Sequence, residues 1–472
     1  MSQINFKGIL KLLTSGMTIS TLFFFPLINA LSGSNIEALH WNTQDSAETL
    51  IAWITIGTLI GSFFYLISNT GNRRLIAFIY MLMIEIGGFF AIGTLIRKSE
   101  LINSLKNNPS AIYTIATIIA LLLVALTAWI STTSETKYSR IPQRMLVVLA
   151  PLNLLMPLNL GIAQVDRPTS PPTAQSPVNE LATSLTRTSK PLTIILLFDE
   201  LSPDYLYGAR KVNMEKFPAL KKLMSNSEIF INAYLPGGNT AEAIPALFEH
   251  KSQGGSLKEL LTLQELNIGL TGWYLDYCRM ILKKQDGCKS FSFFNARTLE
   301  NKFSPLHPIW TNLNLLPYQK PFGFLKIPTA TTMHTRTLAE INKHLHENIN
   351  NENLDLVYAH FNIPHAPMLG SENFSWADGE RFHENENNYI NQLGYVDQAI
   401  GLAIDQINVM SKRRPVNLII LSDHNIRNLT PKSEHEHTVL IFKTFNRPEI
   451  KTHIDQRRIN SAEFINEILD KR

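Results

Sequence analysis

Five long apolar runs crowd the first 165 residues of this chain, at 12–31, 50–67, 75–96, 111–130 and 145–162. Each approaches the ~20 residues that a helix needs to cross a bilayer. Residues 1–164 therefore read as a transmembrane domain of five helices. Pro151 and Pro157 interrupt the last run, which is tolerated where neighbours satisfy the freed carbonyls. The first run resembles a signal peptide, but further spans follow it directly, so it reads as an uncleaved helix.

Lys and Arg in the short loops orient such a bundle. Seven of them (Lys7, Lys11, Arg73, Arg74, Lys137, Arg140, Arg144) fall on one side and three (Arg97, Lys98, Lys106) on the other. That asymmetry predicts a cytoplasmic N-terminus. Five crossings then carry everything after about residue 165 to the outside. In a bacterium this means a multi-pass protein of the inner membrane whose soluble part is periplasmic or otherwise extracytoplasmic. Glu85 falls near the middle of the third run. An ionisable group at that depth is a functional candidate by default; the alternative is a protonated carboxyl bonded to a neighbouring helix.

Residues 165–190 are rich in Pro, Ser and Thr, lack apolar periodicity and read as a semi-extended tether. From 191 to 472, strand-like runs (192–198, 354–361, 416–423, 438–443) alternate with helical ones (217–224, 335–349, 385–410, 462–469). That alternation predicts an α/β domain with a mostly parallel central sheet. In the segment 385–410, Tyr389, Leu393, Val396, Ile400, Ile404 and Ile407 recur at steps of three and four, a helical stripe. A net charge of +4 without a basic stripe argues against nucleic acid as a partner. Cys278 and Cys288 are the two cysteines. Their spacing of ten suits a small disulfide-closed loop in an oxidising compartment; the alternative is two free thiols.

The stretch LTIILLFDE, 192–200, reads as a buried central strand ending in two carboxylates, Asp199 and Glu200. Adjacent acids there form a costly like-charge pair unless a cation joins them. A second cluster, PGGNTAEAIPAL at 236–247, sets two glycines before Asn239 and Thr240 and an apolar helical start after them. Thr240 would then stand at a helix N-terminus, where backbone N–H groups stabilise an anion, or would merely cap the helix. Asn239 offers one more donor. A third cluster, HFNIPHAP at 360–367, and a fourth, SDHNIR at 422–427, end two further strands, with EHEHTVLIF following from Glu434. Acids, histidines and a threonine at strand ends, without thiolates, suit Zn²⁺, or else Mn²⁺.

In this order the motifs resemble the alkaline phosphatase/sulfatase superfamily. They are most similar to its membrane-anchored branch, the phosphoethanolamine transferases and the phosphoglycerol transferases of the lipoteichoic-acid synthase type. Members of that branch carry five N-terminal helices, a linker and an extracytoplasmic catalytic domain. NTAEAIPALF is similar to their nucleophile motif, which makes Thr240 the nucleophile. SDH implies Asp423 and His424 as metal ligands, together with Asp199 and/or Glu200 and with Thr240 against the ion. PHAP implies His365, and HTVLIF implies His437, with His435 as its substitute. These histidines would bind phosphate oxygens, complete a second metal site or protonate the leaving group. Asn239 would contact the substrate.

The implied activity is metal-dependent transfer of a phosphoethanolamine or phosphoglycerol head group from a membrane lipid to an envelope lipid or glycan. It would pass through a phospho-threonine, in a monomer. Arg97 and Lys98 would hold the donor lipid's phosphate, the alternative being interfacial snorkelling. Two other readings compete: a membrane-anchored phosphodiesterase or sulfatase-like hydrolase, and a non-catalytic sensor on the same fold. The sequence departs from the branch where Asp-Glu replaces a single Glu, and two cysteines are fewer than its transferases tend to carry. It departs from the sulfatase pattern too, with Thr240 at the Cys/Ser position, Glu242 for the proline and Ile244 for the arginine.

Overall fold

The computed structural model describes residues 6–31, 43–68, 73–97, 141–165, 191–252, 255–262, 266–280, 287–292, 308–309, 330–365, 386–427, 429–446 and 452–470. Two compact units divide them, one helical and one α/β.

In the helical unit the first apolar run forms Phe6–Phe23 and then, past a 59° bend, Phe25–Leu31. Pro26 follows the bend, where its missing N–H breaks the ladder. The second and third runs form Thr43–Ser68 and Arg73–Arg97. The last run is broken, as its prolines foretold. Ile141–Val148 and Leu155–Val165 flank a 3₁₀ turn, Ala150–Leu154, with Pro151 in its first turn. One described helix, 44–68, is long and apolar enough to cross a membrane, and the bent pair would make a second. The described residues thus supply one or two of the five expected spans. The fourth run and the tether at 166–190 lie outside them.

The first two runs cross closely. A Cβ placed on Gly16 would lie 2.2 Å from the Gly57 carbonyl oxygen, and Gly57 and Gly61 form a G-x-x-x-G pair. Small residues of this kind let helix backbones touch where no hydrophobic force separates lipid from side chain. A polar knot lies beneath the crossing: Trp53 Nε1 donates to Thr21 Oγ1 at 3.0 Å, and Thr21 Oγ1 donates to Asn153 Oδ1 at 2.9 Å. Glu85 is half-buried on Arg73–Arg97.

The α/β unit is built on β1 (Leu192–Asp199), β2 (Glu228–Tyr234), the short hairpin β3 (Lys251–Ser252) and β4 (Gly255–Ser256), β5 (Ile268–Trp273), β6 (Cys288–Phe291), β7 (Leu356–Pro364), β8 (Val416–Ser422), β9 (Leu440–Phe445) and β10 (His453–Asn460). Eight of these form one sheet in the order β10-β2-β9-β8-β1-β7-β5-β6. β1 pairs in parallel with β7 and β8, and β5 in parallel with β7 and β6. β9 runs antiparallel to both its neighbours. Hence the sheet is mostly parallel, as the alternation of runs predicts. All eight residues of β1 are buried, which is why that strand reads as a continuous apolar run.

Helices Pro218–Met224, Ala330–Ile349, Glu386–Met410 and Ser461–Asp470 lie where helical runs are predicted. Glu386–Met410 buries the predicted stripe Tyr389, Leu393, Val396, Ile400 and Ile407. The strands β2, β5, β6 and β10 are not anticipated from the sequence. β2 and β10 are short-period and half-exposed, with burial patterns too mixed to stand out.

Candidate active site

Three adjacent parallel strands, β7, β1 and β8, deliver their carboxyl ends to one edge of the sheet, where α/β folds place ligands. Asp199 at the end of β1, Asp423 just past β8 and His360 within β7 come together there. One side-chain ligand atom from each lies within 4.8 Å of the others, and all three residues are buried. The β1–β7 register slips between Phe198 and Asp199, so Asp199 comes opposite Pro364. Such an irregularity re-aims a side chain at the end of a ladder.

Thr240 enters from the helix Thr240–Glu249, which follows the glycine turn. Gly237 has φ +107°, and a Cβ there would meet the Ala243 nitrogen at 2.7 Å, so this turn needs glycine. The cap of the helix is Asn239, whose Oδ1 accepts from Glu242 N at 3.2 Å. Thr240 is therefore not the cap, which corrects the simpler sequence reading of it and frees its hydroxyl. That hydroxyl is buried and donates to Asp423 Oδ2 at 2.7 Å, with His424 Nε2 3.4 Å away. His424 Nδ1 lies 2.9 Å from the Asn425 carbonyl. A carbonyl only accepts, so in the neutral ring Nδ1 carries the proton and Nε2 the lone pair. Nε2 also lies 3.7 Å from Asp199 Oδ1.

The two adjacent acids of β1 have different surroundings. Glu200 sits at φ 63°, a strained position for a residue with a Cβ. It is held there by its N–H on Asp423 Oδ1 at 3.1 Å and by Tyr389, whose hydroxyl donates to the Glu200 carbonyl at 2.9 Å. Its carboxylate accepts from Arg427 Nε at 3.0 Å. Thus a guanidinium answers the like-charge cost for Glu200. Arg427 acts on Asp199 only through its charge, with no hydrogen bond between them among the described residues. Its Oδ1 has no hydrogen-bond partner among the described residues, although it is buried. Burial first, then Asp423 and Glu200, hold its carboxyl well above the ordinary range, against Arg427 and the Thr240 hydroxyl.

His360 completes the cluster and was not singled out in the sequence, although it opens the HFNIPHAP motif. Its Nε2 is buried without a hydrogen-bond partner among the described residues. Burial pulls its pKa down to about 3, so the ring is neutral and fit to ligate. Lone pairs on Asp199 Oδ1 and His360 Nε2, both buried beside Asp423, form the donor set a divalent cation takes.

The remaining candidates are spread more widely. His365, half-buried at the end of β7, lies 5.5 Å from the Trp273 ring, which also meets His334 at 5.6 Å and His360 at 6.2 Å. These three imidazoles form a second histidine group around one indole, next to the acidic one. His437 is exposed, and its backbone bridges to Tyr234; among the described residues no side-chain contact ties it to the cluster. His435 is nearer the glycine turn: its Cβ lies 3.4 Å from where a Gly238 Cβ would stand, and its Nε2 lies 3.2 Å from the Arg427 carbonyl. Arg97 ends a helix and its side chain is not among those described; Lys98 lies outside the described residues. Cys278 and Cys288 form a disulfide, so the free-thiol alternative falls.

No curated protein matches the chain. Solved structures do. The integral membrane protein lipooligosaccharide phosphoethanolamine transferase A (EptA) from Neisseria meningitidis aligns over 93% of this chain and 88% of its own, at 12% identity and TM-score 0.38. The C-terminal periplasmic domain of phosphoethanolamine transferase EptC from Campylobacter jejuni aligns over 55% and 80%, at 15% identity and TM-score 0.34. A protein in the alkaline phosphatase superfamily from Vibrio parahaemolyticus aligns over 60% and 67%, at 14% identity and TM-score 0.37. At these scores the likenesses carry no argument about the reaction. The sequence match is firmer: residues 191–470, more than half of the chain, fit the Sulfatase family from the first residue before β1 to the end of the last helix, and the chain belongs to that family.

Proposed function

We propose that this chain is a membrane-anchored, metal-dependent transferase. It moves a phosphoryl-linked head group, phosphoethanolamine or phosphoglycerol, from a membrane lipid to an envelope lipid or glycan. One observation carries the reading: a buried threonine hydroxyl at a helix N-terminus, 2.7 Å from Asp423 and 3.4 Å from His424 Nε2. Thr240 also argues against formylglycine chemistry, since threonine cannot stand in for the cysteine or serine that it requires.

Asp199, Asp423, His424 and His360 would hold the cation, Zn²⁺ or else Mn²⁺. When bound, it supplies Lewis-acid polarisation that lowers the pKa of a nearby hydroxyl. In the first step Thr240 Oγ1 attacks phosphorus, its proton passing to the Asp423 carboxylate that already accepts it, and the bond from phosphorus to the lipid alcohol breaks. His365, or His437 once a substrate is bound, protonates the departing oxygen. In the second step an acceptor hydroxyl gives its proton to the same histidine and attacks phosphorus, the bond to Thr240 Oγ1 breaks, and Thr240 takes its proton back from Asp423 and leaves as the alcohol, so the cycle closes. Asn239 and the N–H groups of the first helical turn face the transferred group's charge. The helical unit keeps the enzyme beside its lipid donor, whose phosphate Arg97 and Lys98 hold, and the α/β unit works outside the cytoplasm as a monomer.

Intact-mass analysis of the enzyme mixed with donor lipid alone tests this. A transferase gains the mass of one head group on Thr240 and none in Thr240→Ala. Free head group released without an acceptor, in stoichiometric excess over enzyme, would instead mean the hydrolase reading is right.

A further inference from the structure

The clearest unexplained contact next to the acidic cluster is a phenol. Tyr277 Oη lies 2.6 Å from His360 Nδ1, both residues being fully buried, and 3.4 Å from Tyr358 Oη. A ring nitrogen of His360 lies within 4.8 Å of carboxylate oxygens of Asp199 and Asp423, and Nε2 is the one without a hydrogen-bond partner among the described residues. We propose that Tyr277 is a positioning residue: its oxygen accepts the Nδ1 proton of His360, which locks the ring in the tautomer whose Nε2 lone pair is presented to a divalent cation. This rests on the metal-dependent reading above.

Several features hold the phenol in place independently of His360. Gly272 on β5 makes the room, since a Cβ there would lie 2.2 Å from a Tyr277 ring carbon. The next residue, Cys278, is tied covalently to Cys288 on β6 and donates its N–H to Ser290 Oγ at 3.1 Å. Gly272 and Ser290 are themselves paired across β5 and β6. Tyr358 and Phe248 pack at ring distances of 5.6 Å and 6.1 Å. With its own proton free to turn toward Tyr358, Tyr277 Oη has a lone pair for Nδ1–H. The geometry matches the way outer partners orient metal-bound histidines, whose loss typically costs about 10–100-fold in metal affinity.

The test uses the purified full chain, stripped with a chelator and titrated with Zn²⁺ against a chromophoric competitor. Tyr277→Phe removes one oxygen and keeps the ring. It is expected to lower Zn²⁺ affinity about 10–100-fold, while Tyr358→Phe changes it less than about 2-fold. His360→Ala and Asp423→Asn are run beside them. Wild-type affinity in Tyr277→Phe overturns the proposal. If Asp423→Asn weakens binding but His360→Ala does not, the proposal is also overturned, while the metal reading stands. If neither weakens binding, the metal reading fails and takes the proposal with it. A second readout survives poor folding of the variants: ¹⁵N-histidine spectra of the metal-free wild type, with His360 assigned by its loss in His360→Gln. A protonated Nδ1 and a bare Nε2 are expected, and the opposite tautomer overturns the proposal.

Discussion

The two units of this molecule are turned inside out relative to one another in chemistry. In the α/β unit the apolar side chains are inside, and large exposed ones among the described residues come down to Leu402, Val409 and Ile454. In the helical unit Leu59 and Leu66 are each 65% exposed and Val148 76%, while Ser15, Thr18, Ser20, Thr21 and Glu48 are buried. Water drives apolar groups inward. Lipid does not, and there polar groups must find partners within the protein. The helical unit therefore has large apolar side chains on its surface and polar ones within. At one sheet edge of the α/β unit Asp199, Thr240, His360, Asp423 and His424 are buried together. Burying so many polar groups is costly unless something pairs them, and that is where function is to be sought.

The comparison breaks first, and with the largest effect, at Thr240. Thr240→Ala should lower turnover on the order of 10⁴-fold or more, as losing a nucleophile does, with circular dichroism unchanged. Near-normal turnover with lipid donor would return the polar island to a structural role.

Next comes the cation. Asp199 in the metal-free fold has a raised pKa, so its contribution to stability is present at acid pH and is lost as pH rises past its ordinary value of 3.8. A bound cation removes that loss. The increase in Tm on adding Zn²⁺ should therefore be largest near neutral pH and fade toward pH ~4, where protons compete for the same groups. Differential scanning fluorimetry across pH reads it; an increment independent of pH would contradict it.

Leu59→Arg sharpens the contrast between the units. On a lipid-facing helix it should cost roughly 2.5–3.5 kcal/mol of insertion, against less than about 0.5 kcal/mol on a watery surface. The membrane-bound fraction of expressed protein reports which. Replacing Cys278 and Cys288 by serine should cost about 2–3 kcal/mol on the loop-entropy account, read by urea unfolding. The smallest effect is the cap. Asn239→Ala should cost about 0.5–2 kcal/mol, more than Thr240→Ala costs in stability, because Asn239 holds the Glu242 N–H.

Much of this was legible in one dimension. The β1 run and the stripe of Glu386–Met410 are periodic over many residues, so pattern alone found them. Asn239-Thr240 and Asp423-His424 are adjacent pairs at element boundaries, where turn chemistry and strand length announce a site. His360 was hidden because a histidine inside an apolar strand has no local mark; its role comes from Tyr277, 83 residues away. Arg427 was passed over for the same reason, its partner Glu200 being 227 residues distant.

What the sequence by itself determined is the division into an apolar helical part and an α/β part, and the residue types at the strand ends. Those follow from periodicity and composition, which act locally. Tertiary structure alone decided how the charges divide: Arg427 answers Glu200, Asp199 keeps a buried oxygen without a hydrogen-bond partner among the described residues, and the Thr240 hydroxyl meets Asp423. The physical reason is that each outcome depends on which of two neighbouring groups meets a distant partner. The parallel pairing of β7, β1 and β8 sets Asp199, His360 and Asp423 close together, and the segments after the sheet bring Thr240 and Arg427 to them.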